Sequence, residues 1–244
     1  MTAFTLAQIL TELYVNENVG AFEGFYLHRV IRRCRGELVF GRDAVRQKVL
    51  ADLAQFSGWR FTIHTCSDEF ADVAWISPDG SSVRRHYWTK RENGRIASDT
   101  VITCSPNPEP AQHHHPLLGE LDSGKGQIGP AELIGFSAAA ESLHKIWNRR
   151  SLSTIAELYH EEAHWRGPES EGGTQELKAW WLQQFLAFPQ SQITFEREIA
   201  FENNLALLWQ WARIDTNGRR DRVTGSACLQ LDGGKVTQEI LLTD

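Results

Sequence analysis

Residues 176–198 read ELKAWWLQQFLAFPQSQITFERE, and the fold turns on how this stretch divides. Leu177, Trp180, Trp181, Gln184 and Phe185 fall at i, i+3, i+4, i+7 and i+8, which gives a helix one almost wholly apolar face. Pro189 stops that helix, because it has no N–H to donate and its ring crowds the preceding turn. From Ile193 to Ile199 apolar and polar residues alternate with the period of a half-buried strand. A tryptophan-rich helix laid on a sheet builds either an apolar pocket or a solid core.

The same order of elements occurs twice. In the first half the periodicity predicts helices over residues 5–18 and 21–27, the second ending at His28. An irregular, arginine-rich strand or turn, VIRRCRGELVF (30–40), follows. A helix over 42–56 then buries Val45, Val49, Leu53 and Phe56. Strands are expected at 59–65, 72–77, 83–90 and 95–103, separated by Pro78-Asp79-Gly80 and by Asn93-Gly94, a strong hairpin signal. Residues 106–130, rich in proline, glycine and serine and without periodicity, read as a linker.

Beyond it come helices at 133–148 and 154–159, the latter reaching His160, and an irregular HWRGPESEGG (164–173). A helix at 174–188 and strands at 192–199, 205–214, 222–231 and 235–243 complete the second half. His28 and His160 lie 132 residues apart, as do Val45 and Leu177, Val49 and Trp181, and Phe56 and Phe188. Trp75 and Trp209 are 134 apart, and Asp99 and Glu239 are 140 apart. This is a duplicated α+β unit of about 110 residues, with domains expected at 1–105 and 131–244.

Composition narrows the function. Hydrophobic content of 41% and charged content of 23% describe a globular chain. A net charge of −6 argues against general affinity for nucleic-acid backbones or anionic membranes. The N-terminus shows no signal-peptide pattern, and no run approaches the length of a membrane span, so a cytoplasmic location is expected. Cys34, Cys66, Cys104 and Cys228 form no C-x-x-C pair and read as reduced thiols. His113-His114-His115 lies in the linker, where adjacent histidines make a poor ligand set, and no metal or other cofactor is expected. Gly124-Lys125-Gly126 lacks the strand and helix that a phosphate loop requires.

The second half resembles the SnoaL-like polyketide cyclase branch of the nuclear transport factor 2-like superfamily. The matching features are Trp147-Asn148, Tyr159-His160-Glu161-Glu162, Trp165-Arg166-Gly167-Pro168, a helix ending in Phe188-Pro189, the strand at 205–211 and the closing Gly234-Lys235-Val236 strand. The resemblance extends to the first half through the repeat. It implies two cone-shaped α+β domains, each with helices packed on a curved, mostly antiparallel sheet around a pocket. It also implies sheet-to-sheet pairing, here within one chain as a pseudo-dimer, with further homo-oligomers left open. Cyclases of this branch carry an aspartate on the third strand, where this chain reads VTGSACL (223–229), so a base would have to sit elsewhere.

His160, Arg213, Asp215 and Glu239 are the candidates for proton transfer and charge stabilisation. His160 suits a base near neutrality, and a buried Glu239 would have its pKa raised by desolvation. Arg213 and Asp215 continue the strand parity of Trp209 and Trp211. Trp147, Trp165, Trp181, Phe185, Trp209 and Trp211 would wall a pocket for a small hydrophobic or aromatic ligand. Cofactor-independent isomerisation, cyclisation or dehydration is the expected chemistry, with the first half a degenerate copy. The alternative is a non-catalytic binding or interaction module whose pockets are filled by side chains. A His160 facing solvent, or a second-half cavity below about 300 Å³, would sink the enzyme reading.

Overall fold

The computed structural model describes residues 4–104 and 135–244. The expected linker and the His113-His114-His115 run lie outside these residues. The first half runs α1 (Leu6–Tyr14), a short 3-10 turn, α2 (Phe22–Phe25), β1 (Tyr26–Cys34), β2 (Glu37–Phe40), α3 (Arg42–Gln55), β3 (Arg60–Cys66), β4 (Phe70–Ile76), β5 (Ser82–Glu92) and β6 (Arg95–Cys104). The second half repeats it as α4 (Ala138–Arg149), α5 (Thr154–Leu158), β7 (Tyr159–Arg166), β8 (Glu171–Gly172), α6 (Thr174–Ala187), β9 (Gln190–Phe201), β10 (Asn204–Ile214), β11 (Arg220–Asp232) and β12 (Lys235–Thr243).

The two sheets have orders β2-β1-β6-β5-β4-β3 and β8-β7-β12-β11-β10-β9. Only β1/β6 and β7/β12 pair in parallel; every other neighbour is antiparallel. The α+β class and the two helix-on-sheet units are as expected. No described helix is long and apolar enough to cross a membrane.

Local chemistry sets the helix starts. Thr5 and Gln8 form a reciprocal capping box on α1, and the Ser137 hydroxyl accepts from the Ala140 N–H at 3.2 Å. At α6 the Glu176 side chain turns back to accept from the Gly173 N–H at 2.9 Å. α6 buries Leu177, Trp180, Trp181 and Phe185, the face that the 176–198 stretch predicts.

Two readings are corrected. The segments expected to be irregular, 30–40 and 164–173, contain β1 with β2 and the end of β7 with β8. His160 therefore sits in a strand, not at a helix end. Register also shifts the repeat. Tyr26 pairs with Ile96 and Tyr159 with Val236, so the shared residue is tyrosine, and His28 matches Glu161 rather than His160. Likewise Trp75 faces Val83 and Trp211 faces Val223, which makes Trp211, not Trp209, the counterpart of Trp75.

The faces of the two sheets that point away from the helices pack on each other. Phe70, Trp88 and Ile102 from the first half meet Ala206, Leu208, Cys228, Ile240 and Leu242 from the second. Polar groups fix the alignment. Ser226 Oγ accepts from the Trp88 indole at 2.9 Å and lies 2.8 Å from His86 Nδ1. Arg197 donates to the Thr89 carbonyl at 2.8 Å and pairs with Glu69. The Asp244 carboxylate accepts from the Thr103 and Arg35 backbone N–H groups at 3.0 and 3.1 Å.

Ser226→Ala would strand the Trp88 donor inside this interface. Urea unfolding should show a loss of about 1–3 kcal/mol, and a change within about 0.5 kcal/mol would contradict the assigned role.

Candidate functional site

The parallel pairing of the first and last strands places one carboxylate per half in the interior. In the first half Asp99 lies opposite Arg32, and in the second Glu239 lies opposite Trp165. Both acids are buried, Asp99 at 3% and Glu239 at 1% exposure. Each also takes a hydrogen bond from the tyrosine that opens the parallel strand. Tyr26 Oη donates to Asp99 at 3.2 Å, and Tyr159 Oη donates to Glu239 at 2.6 Å.

The halves differ in what neutralises the acid. Arg32 grips Asp99 with Nε at 3.0 Å and Nη2 at 2.6 Å, a bidentate buried pair. Trp165 occupies the equivalent place in the second half, and no cation pairs with Glu239 among the described residues. Burial therefore pushes the Glu239 carboxyl up to about 7, with the Tyr159 hydrogen bond opposing part of the rise. Burial and the neighbouring carboxylate push the Tyr159 phenol well above its usual range.

Aromatic volume replaces charge throughout the second interior, and glycines make room for it. A Cβ on Gly167 would overlap the Trp165 ring, and one on Gly225 would overlap the Trp209 ring. By register Gly225 stands where the first half has Arg85, Trp209 where it has Val73, and Ala227 where it has Tyr87. Trp147 packs on Trp181 at 5.3 Å and on Trp209 at 5.6 Å, and Trp180 meets Trp181 edge-on at 4.7 Å. Phe185 stacks on Trp181 at 5.6 Å, and Trp211 lies 6.1 Å from it. The six residues expected to wall a pocket thus form one contiguous cluster around the helix α6 face. The indole N–H groups of Trp147, Trp165, Trp180 and Trp209 are buried with no acceptor among the described residues.

The other candidates lie elsewhere. His160 is exposed on β7, its Nδ1 accepting from the Glu162 N–H at 3.3 Å, so it does not face the interior. Asp215 closes the β10–β11 turn by accepting from the Asn217 and Arg219 N–H groups, each at 2.8 Å. Arg213 sits at the rim, paired with Asp221 at 2.7 Å and lying 4.2 Å from the Phe188 ring centre. Of the four proton-transfer candidates, Glu239 is the one buried in the interior, opposite Trp165, while Arg213 lies over the Trp211 ring at 4.9 Å from its half-buried position. Tyr159, its partner, carried a sequence signal only through register, which a bulge in the parallel strand obscures.

Among the described residues, hollows open on the surface in both halves. One of about 460 Å³ lies among α1, α2 and the turn between them, lined by Phe4, Glu12 and Phe25; another of about 150 Å³ lies on the outer face of β9 and β10. Neither reaches Glu239. Asp72, His86 and Ser226 form a chain that looks like a nucleophilic triad, but Ser226 is wholly buried between the sheets and its oxygen is held by Trp88.

A carboxyl whose pKa is raised on folding favours the folded state at low pH. Its contribution is complete below about 4.5 and lost as pH rises through about 7, a penalty of about 3 kcal/mol above that point. Glu239→Gln should therefore raise thermal stability relative to wild type at pH 8 and not at pH 5; an offset independent of pH would contradict the shift. Gly225→Ala should destabilise by about 1–3 kcal/mol in wild type but much less in a Trp209→Val background, read by a double-mutant cycle in urea.

Comparison with known proteins bears on the second half. The SnoaL-like domain family matches residues 140–239. No curated protein matches the chain in sequence. Among solved structures, AclR of Streptomyces galilaeus, described as a candidate hydroxylase, is 19% identical over 44% of this chain and 73% of its own, with a TM-score of 0.41. IdmH of Streptomyces antibioticus, described as a candidate polyketide cyclase, is 15% identical over 44% and 93%, with a TM-score of 0.40. An NTF2-like protein of Burkholderia pseudomallei is 13% identical over 45% and 92%, also at 0.40. With the family match and two similar helix-on-sheet halves in view, residues 140–239 of this chain form a SnoaL-like domain.

Proposed function

We propose that the second half binds a small apolar or aromatic metabolite carrying a carbonyl or hydroxyl oxygen, and that Glu239 with Tyr159 exchanges a proton with it. The observation that carries this reading is a buried glutamate without a cation, hydrogen-bonded at 2.6 Å to a buried tyrosine and poised near pH 7. A group so poised serves as acid and as base under the same conditions. As carboxylate it removes a proton from the carbon next to a ligand carbonyl, and as acid it returns that proton to another atom, an isomerisation with no net change in the protein. Unpartnered indole N–H groups would hold the oxygen while negative charge develops there. Ligand walls would come from Trp147, Trp165, Trp181, Phe185, Trp209 and Trp211. With His160 facing solvent and Arg213 at the rim, neither is needed for the step.

Three observations favour the second reading, a non-catalytic module: the aromatic rings contact one another closely enough to fill the interior, His160 faces solvent, and the hollow of the second half, about 150 Å³, is smaller than a small-molecule site and does not reach Glu239. The two readings separate in one experiment. Polycyclic aromatic ketones are titrated against tryptophan fluorescence, and exchange of the α-proton of a bound ketone with D2O is followed by NMR. The acid–base reading expects exchange with a half-maximum near pH 7 and at least about a hundredfold loss in Glu239→Gln. Exchange unchanged by that substitution, or binding with no exchange, leaves the non-catalytic module standing.

A further inference from the structure

The first interior is charged where the second is aromatic, and one of its ion pairs is built unlike the other. Arg32 and Asp99 are both sealed, at 2% and 0% side-chain exposure. Arg85 is equally buried at 3%, but its partner Asp52 keeps 18%. The pair is bidentate, Nη1 to Oδ2 at 2.7 Å and Nη2 to Oδ1 at 2.9 Å, and the Phe56 ring centre lies 5.1 Å from the guanidinium. Asp52 projects from α3, a helix of 14 residues that fully buries only Val45 and Val49. The cation is thus fixed in the core, while its counter-ion, which also accepts from Tyr14 Oη at 3.5 Å, comes from a helix that leaves it partial access to water.

Three more donors stand unmatched. Arg85 Nε, Tyr87 Oη and Trp75 Nε1 are buried without hydrogen-bond partners among the described residues. Buried donors of this kind call for an acceptor. Between them and solvent lie half-buried rings: Trp59 is 5.3 Å from Phe56, and Phe61 is 4.9 Å from Trp75.

We infer that the first half is a binding site for a small aromatic carboxylate, whose carboxylate takes the place of Asp52 on Arg85 while its ring lies against Trp59 and Phe61. Charge balance selects this class. Arg32 and Arg85 are offset by Asp99 and Asp52, so exchanging one carboxylate for another as Asp52 turns to water leaves the interior neutral. A neutral or cationic ligand displacing Asp52 would leave a buried guanidinium unpaired, which is strongly unfavourable. Guanidinium geometry matches a carboxylate in bidentate fashion, and the indole and phenol donors add to it. The second half has Gly225 at the position of Arg85, so the site belongs to the first half alone.

The test uses the full chain, with phenylacetate and neutral phenylacetamide as calorimetric probes. Asp52→Ser removes the internal competitor and should bind phenylacetate at least about tenfold more tightly than wild type. The Asp52→Ser/Arg85→Gln double variant should lose that gain, and phenylacetamide should bind neither. If circular dichroism shows Asp52→Ser unfolded, the isosteric Asp52→Asn takes its place. A folded Asp52 variant that binds phenylacetate no better than wild type, equal binding of the amide, or binding kept in the double variant overturns the proposal.

Discussion

A carboxylate buried on the last strand of a sheet must meet a cation or keep its proton. Each half of this chain sets that problem at the same register position and solves it differently. Arg32 neutralises Asp99, whereas Trp165 leaves Glu239 with only the Tyr159 hydroxyl. The rest of the two interiors follows from this choice. A guanidinium in the core brings further polar partners with it, and the first half accordingly holds a second pair, Arg85 with Asp52. An indole in its place needs volume, which Gly167 and Gly225 supply. The two halves share one backbone plan and fill its interior differently.

The stacked sheets hold the halves in one alignment. Polar groups inside the contact make it specific, because the Trp88 indole and His86 ring meet one hydroxyl, and the Asp244 carboxylate reaches two backbone N–H groups across the boundary. Titration of these groups shapes stability with pH. Burial opposes the charge on Asp72, but the hydrogen bonds from Arg84, with the His86 ring 3.6 Å away, hold its carboxyl down to about 2, so its contribution is lost only as pH falls through that value. Burial raises Asp244 to about 6, so its contribution fades as pH rises toward neutrality.

Much of the architecture was legible in the sequence. Helix periodicity around Leu177 and Trp181, the stop at Pro189, and the Asn93-Gly94 hairpin gave the helices and the antiparallel strands, and the 140-residue spacing of Asp99 and Glu239 gave the last strands. The parallel strands β1 and β7 were not legible. A bulge breaks their period of two, and the buried Arg32 sits in an arginine run that reads as solvated surface. Because those strands carry Tyr26, Arg32, Tyr159 and Trp165, the site chemistry stayed hidden with them. His160 was expected inward as the end of a helical segment before an irregular loop; it stands instead on a strand, next to the buried Tyr159, and side chains one residue apart on a strand face opposite ways. Glu239 needed no such correction, because the bulge at Thr237 precedes it and the pairing from Gln238 onward keeps its register.

The account rests on Glu239 holding its proton to near neutrality inside a tryptophan-lined interior. Carbon-13 NMR of the glutamate side-chain carboxyls, with Glu239→Gln to assign the resonance, measures this directly. The structure predicts a midpoint about 7, and a midpoint in the ordinary glutamate range near about 4 would contradict it.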